Sequence, residues 1–236
     1  SSDLNYKALD PIDVIFINED DDTEAAGLVI GNLSGNTTES NDNATFEIRL
    51  SSEPLGTVVF NLSSSDTGEG TVSPDNLSFD NSSWSTLQTV TVSGIDDNIT
   101  DGTQAYQIQI SSDASTSDSN YRGLPSEFVT VSNLDNDIAG FEVSAISGNT
   151  NESGDNATFT VKLRAKPPSG TNVNFSLSSS NPSEGTVVPD NLSFTDSSWN
   201  TNQTVTVSGV DDDLIDGYQT FSIILGKALS NNLLYN

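Results

Sequence analysis

Residues 31–50, GNLSGNTTESNDNATFEIRL, return at 144–163 as SAISGNTNESGDNATFTVKL, an offset of 113 residues. Residues 69–102, EGTVSPDNLSFDNSSWSTLQTVTVSGIDDNITDG, return at 184–217 as EGTVVPDNLSFTDSSWNTNQTVTVSGVDDDLIDG, now at an offset of 115. The two extra residues fall in the loop around Pro167-Pro168-Ser169. A chain that repeats itself this closely folds as copies of one unit. The N-terminus supplies a third, partial copy: Asn5-Tyr6, Leu9 and VIFINEDDD (14–22) align with Asn120-Tyr121, Leu124 and VTVSNLDND (129–137), again at 115. The expected organisation is therefore 1–22 as the closing strand and acidic linker of a preceding repeat, 23–137 as repeat 1, and 138–236 as repeat 2 without its own last strand.

Within each copy the apolar residues alternate. Ala44 to Leu50 and Ala157 to Leu163 have period two, as do Val58 to Leu62, Thr89 to Val92 and Tyr106 to Ile110, with Gly, Asn, Asp, Ser and Pro between them. That is the signature of half-buried strands, and no stretch carries a 3.6-residue period with caps. The fold class expected is all-β, two tandem sandwiches plus one extra N-terminal strand. Trp84 and Trp199 stand at equivalent positions without a second aromatic beside them, which suits core packing better than ligand stacking. Tyr6, Tyr121 and Tyr235 read as buried rings whose hydroxyls reach backbone.

Composition narrows the chemistry. The 236 residues include 34 acidic and 7 basic side chains, a formal charge of −27, and no histidine, cysteine or methionine. Disulfides, thiol or imidazole catalysis and the usual zinc, copper or haem ligand sets are excluded; hard cations held by oxygen are not. The same field disfavours nucleic acid and anionic membrane surfaces as partners. No run of about 18 apolar residues is present to span a bilayer. Paired carboxylates also raise the idea of a glycosidase, but neither repeat has the aromatic lining of a sugar cleft, so no enzyme is expected. Asn-X-Ser/Thr triplets such as Asn43-Ala44-Thr45 follow from an Asn- and Ser-rich composition and do not indicate glycosylation.

The acids collect where strands meet loops. Glu39 and its copy Glu152 precede the Ala-Thr-Phe strand. Asp96, Asp97 and Asp101, with copies Asp211, Asp212 and Asp216, follow the Thr-Val-Thr-Val strand. Asp135 and Asp137 follow the closing strand, and their copies in the N-terminal tail are Asp20 and Asp22. Converging at one pole, five or six carboxylates repel one another unless a cation neutralises them, and Ca²⁺ takes six to eight oxygens. The plainer alternative is that Asp-Asp and Asp-Gly simply make turns.

The segments SGIDDNITDGTQAYQIQI, SGVDDDLIDGYQTFSIIL and VTVSNLDNDIAGF resemble the Calx-beta domain, a family of calcium-binding modules found in sodium/calcium exchangers and in tandem in bacterial surface proteins. The resemblance implies a seven-stranded immunoglobulin-like sandwich with Ca²⁺ at one end, held by Glu39, Asp96, Asp97, Asp101, Asp135 and Asp137. It also implies a place for Glu69, with Glu184 as its copy. Gln104 and Gln219 stand where calcium-binding members often carry Glu, and Asn98 and Asn136 interrupt Asp triplets, so fewer ions are expected.

Function follows as an expectation: a calcium-stabilised structural or adhesive repeat, extracellular or on a cell surface, with a calcium-sensing or ligand-binding module as the alternative. IDVIFIN (12–18) is a strongly β-prone strand without a sandwich of its own. Partners are then either neighbouring repeats of a longer chain or further copies, joined head to tail by giving that strand to an open repeat 2.

Overall fold

The computed structural model describes residues 15–17 and 25–235. Tyr6, Asp20, Asp22 and most of the expected strand 12–18 lie outside the described residues.

Alternation sets the first sandwich. In β3 (Asn43–Leu50), Ala44, Phe46, Ile48 and Leu50 point inward while the residues between them do not. β1 (Leu28–Ile30), β3, β7 (Gln88–Gly94) and β5 (Gly70–Ser73) form one antiparallel sheet in the order β1-β3-β7-β5. The opposing sheet runs β2 (Thr37–Thr38), β9 (Glu127–Leu134), β8 (Gln104–Ser112), β4 (Val58–Ser64), β6 (Asn76–Phe79). Phe46, Ile48, Val90 and Val92 from the first sheet meet Phe60, Phe79, Ile108 and Val131 from the second. Each such side chain contributes about 1.5–3 kcal/mol on burial. Trp84 closes one side of this core and Tyr121 fills it, its hydroxyl donating to Ser52 O at 2.6 Å, as the sequence suggests.

The strand count exceeds seven for two local reasons. The first strand is split, β1 on one sheet and the two-residue β2 on the other, and the segment 70–79 changes sheets at Pro74, which has no N–H to continue the β5 ladder. Gly70 is required there, because a methyl at that Cα would overlap the Tyr106 ring.

Repeat 2 builds the same layers around a separate core that includes Phe159, Val161, Phe175, Phe194 and Val205. β10 (Phe141–Val143), β11 (Asn156–Leu163), β15 (Gln203–Gly209) and β13 (Gly185–Val188) repeat the first sheet. The second sheet is narrower. β14 (Asn191–Thr195) and β12 (Asn172–Ser179) pair as before, but only the three residues of β16 (Ile223–Leu225) match the nine of β8. β17 (Leu229–Ser230) extends pairing along β12, and Tyr235 ends a short 3₁₀ turn with its hydroxyl donating to Ala165 O at 2.9 Å. Among the described residues, no strand takes the place of β9.

The two repeats touch pole to pole. Ile99 forms an isolated parallel bridge with Lys166. Thr100 N donates to Lys166 O at 2.9 Å, Lys166 N to Asn98 O at 2.6 Å, and Thr100 Oγ1 to Tyr235 Oη at 3.0 Å.

Candidate metal centre

The pairing of β2 with β9 is parallel, Thr38 opposite Leu134, so the chain leaves both strands at the same pole. Glu39 and Asp135 are therefore neighbours although 96 residues separate them in sequence. Glu39, Asp135 and Asp137 each bring a carboxylate oxygen within 4.8 Å of the other two. The β7–β8 loop crosses the same pole with Asp96, Asp97 and Asp101.

Backbone donors hold part of this set. Asp97 Oδ1 accepts from Ile99 N at 2.6 Å, Asp135 accepts from Gly102 N at 2.7 Å and from Asp137 N at 2.6 Å, and Glu39 Oε2 accepts from Asn136 N at 3.0 Å. Asn136 Nδ2 also donates to Asp96 Oδ1 at 3.2 Å. Asp137 Oδ2 is buried and has no hydrogen-bond partner. Glu39 is only 4% exposed. An uncompensated buried carboxylate oxygen is costly, and like charges at this spacing add to the cost.

The acids of repeat 1 divide into two kinds. Asp80 and Asp113 accept from nearby Ser groups, Asp80 from Ser82 and Ser83 and Asp113 chiefly from Ser115, and those bonds lower both pKa values, Asp80 to about 2. These are turn-formers. At the pole the direction reverses. Burial first, then the charges of Asp135, Asp97 and Asp137, raises Glu39 to about 7, against a pull downward from Asn136 N. Asp137, Asp101 and Glu69 are raised too, burial again leading and neighbouring carboxylates adding. Among the described residues the ion pair present is Lys162–Glu142 at 3.3 Å, which leaves this cluster without a basic partner.

Oxygen ligands alone, an orphaned buried oxygen and carboxylates held away from their charged state fit a hard divalent cation of the Ca²⁺ type. Glu39, Asp135 and Asp137 would hold it, with Asp96, Asp97 and Asp101 around them. Glu69 stands apart from the three, accepting from Asn133 Nδ2 at 3.4 Å.

Repeat 2 places its acids differently. Glu152, Asp211 and Asp216 are exposed and Asp212 half-buried, Asp212 Oδ1 accepting from Leu214 N at 2.7 Å. Glu184 is raised by burial and by the charges of Asp216, Asp212 and Glu152.

Asn133 and Thr100 were not singled out by sequence, and Gln104, noted there only as standing in place of a Glu, positions the loop. Buried Asn133 ties β9 into the pole, accepting from Thr37 Oγ1 at 3.0 Å and donating to Ile95 O at 3.0 Å. Gln104 Nε2 donates to Asp101 O at 2.9 Å and fixes the loop, as Gln219 does for Asp216 O at 3.1 Å. Thr100 links the pole to repeat 2. The recurrence of Asn at 18 and 133 was a usable signal for the first of these.

The family model of the Calx-beta domain matches residues 20–137 and again 133–234. The chain belongs to the Calx-beta domain family. Calx-beta domains are binding and structural modules, and this chain is a tandem calcium-binding-type β-sandwich. Similar solved structures include the calcium binding domain CBD12 of CALX1.1 (15% identity, covering 82% of this chain and 77% of that one, TM-score 0.31). Others are domains 5–6 of the S-layer protein SbsC (14%, 87% and 96%, 0.28) and the E. coli chaperone DraB (8%, 80% and 100%, 0.33). No curated protein sequence matches the chain. Among the described residues, no helix of this Calx-beta chain is long and apolar enough to cross a membrane.

The raised Glu39 value gives a pH dependence. A carboxyl with a folded-state pKa near 7 binds more protons folded than unfolded at intermediate pH, so its contribution to stability is complete below about pH 4.5 and disappears as pH rises through 7. In chelator, the melting temperature of repeat 1 is expected to fall between pH 5 and pH 8. Saturating Ca²⁺ should remove that fall, because the ion holds the carboxylate form. Melting curves at four pH values with and without Ca²⁺ check this.

Proposed function

We propose that this chain is a calcium-stiffened structural segment of an extracellular surface protein, in which the ion fixes the angle between consecutive sandwiches. One observation carries the reading: the orphaned, mutually repelling carboxylates of repeat 1 lie at the junction with repeat 2. A cavity of about 270 Å³ there is lined by Asp135, Asp137, Thr100, Gly102, Ala139 and Leu234. Burial chiefly, with the field of Asp137 and Asp135 added and the Thr100 bond opposing, raises the phenol of Tyr235 in the other repeat. An ion bound to Asp135 and Asp137 would tie the linker that begins at Ile138 to the Asp96–Asp101 loop, which itself grips Lys166. Repeats joined head to tail in this way form a stiff thread.

At free Ca²⁺ ten times the dissociation constant, each site adds about 1.4 kcal/mol, and a unit of this size gains roughly 4–8 °C per kcal/mol. Thermal melts in Ca²⁺ and in chelator test the proposal. A rise of several degrees for repeat 1 is expected; superimposable curves would leave the acids as turn-formers.

A ligand-binding or calcium-sensing module is the second reading. It is favoured by an apolar groove present on repeat 2 and filled on repeat 1.

A further inference from the structure

The groove has a volume of about 610 Å³ and is lined by Val143, Ala157, Phe159, Val207, Phe221 and Leu225, among others. Their equivalents in repeat 1 are Ile30, Ala44, Phe46, Val92, Tyr106 and Ile110, and there β9 completes the sheet beside β8 and sends Val131 into the same core. Tyr106 and Ile110 are sealed in repeat 1 whereas Phe221 and Leu225 are only partly covered in repeat 2, with buried Ala157, Phe159 and Val207 beneath them. The groove has the footprint of a β9 strand, seven residues antiparallel to 219–225 and parallel to the segment at Thr150.

We infer that this groove binds residues 12–19 of a second copy of the chain, inserted at the position β9 holds in repeat 1 and bringing Asp20 and Asp22 to the acidic pole of repeat 2. The assembly half of this stands on the groove; the shared acidic pole rests on the cation reading above.

Several independent features select that occupant. Residues 12–19 align with β9, and Val14, Phe16 and Asn18 fall on Val129, Val131 and Asn133, the positions that turn inward. Ile15, Phe16 and Ile17 are 87%, 87% and 86% exposed, an apolar triplet in want of cover. The polar partners of Asn133 also recur: Thr37, Glu69 and the carbonyl of Ile95 have counterparts in Thr150, Glu184 and Val210. Asp20 and Asp22 align with Asp135 and Asp137, the two carboxylates that repeat 2 needs beside Glu152, Asp211, Asp212 and Asp216. Leu214 and Ile215, equivalent to the junction residues Ile99 and Thr100, are 67% and 105% exposed, ready to meet Glu53 of the next copy where Ile99 meets Lys166.

Chain length makes the donor another molecule. Gly27 bonds to Ser51 at the pole of repeat 1 opposite its acids. From there to the acidic pole of repeat 2 are two eight-residue strands, β3 and β11, each about 27 Å long. The five Cα-to-Cα steps from Asp20 to Ala25 reach at most about 18 Å. A chain cannot fill its own groove in this register, whereas the head of one copy meets the tail of the next without strain on that link. The contact is heterologous and propagates.

The register is testable because the chain contains no cysteine. Gln107 faces Thr130 in repeat 1, so Ser222 faces Ile15 in the complex. Ile15→Cys and Ser222→Cys chains, mixed under mild oxidation, are expected to give a disulfide-linked dimer at least 10-fold above either chain alone, and the double variant a ladder of multimers. Adding Phe16→Asp to the donor should abolish both while leaving the melting of repeat 1 unchanged. No cross-link, or only an intrachain one in the double variant, overturns the inference. Calcium binding is read on the Ile15→Cys and Ser222→Cys chains without the Phe16 change: binding without cross-links overturns assembly alone, and cross-links without binding overturn the cation reading alone.

Discussion

An Asp137→Asn chain is expected to melt higher than the parent in chelator and lower than the parent in Ca²⁺. Asp137 Oδ2 is buried and unpartnered, and the charges of Asp135, Asp97, Asp96 and Asp101 oppose its ionisation. Removing one of several like charges relieves that repulsion, so the metal-free fold gains. With Ca²⁺ present the same substitution removes a ligand charge. Two unit charges about 4 Å apart interact by roughly 4 kcal/mol at an effective dielectric of 20, and with solvent screening a loss of about 100-fold in affinity is the conservative expectation. The two effects have opposite sign, and the crossing separates a cation site from an Asp that merely forms a turn. Asp80→Asn, at an acid whose carboxylate accepts from Ser82 and Ser83, should lower stability equally in both conditions.

The second large effect concerns repeat 2. Phe175→Ala is expected to cost about 3–5 kcal/mol, because the ring is buried and packs on Phe141 at 4.5 Å and Phe194 at 6.2 Å between centroids. The two cores share no residue, so the loss should fall on repeat 2, leaving the amides of β3, β7 and β8 protected. Hydrogen exchange followed by mass spectrometry resolves the two repeats. Repeat 2 is the more vulnerable of the pair, since Phe221, Ile223 and Leu225 are only partly covered while Tyr106, Ile108 and Ile110 are sealed. The same variant should therefore lose the capacity to accept a donated strand while keeping calcium binding at repeat 1.

Much of this was legible in the sequence, for physical reasons that also mark where legibility stops. Period-two runs such as Ala44 to Leu50 specify a strand and its buried face together, and duplication doubles the signal. The two-residue β2 carries no such pattern. Thr37-Thr38 is a strand only because β9 lies beside it, and that parallel pairing is what puts Glu39 next to Asp135. The gathering of acids at strand ends could be read directly. Which acids are frustrated could not: Asp80 and Asp137 look alike in sequence and differ in whether a donor reaches them. Thr100, Lys166 and Tyr235 are chemically ordinary, so the repeat junction emerges only when both folded units are present. Residues 12–18 are the converse case: alternation and alignment with β9 give the expectation of a strand, and the groove inferred to accept it is visible only in the fold of repeat 2.

The central claim, that Ca²⁺ at the acidic pole holds the two sandwiches at a fixed angle, is tested most directly by electron–electron resonance distances. Spin labels on Ser78→Cys and Ser193→Cys place one probe on the exposed face of each repeat. The expected result is a narrow distance distribution in Ca²⁺ that broadens in chelator and stays broad in Ca²⁺ when Asp137→Asn is added. Distributions of equal width with and without Ca²⁺ in the otherwise unaltered chain would contradict the account.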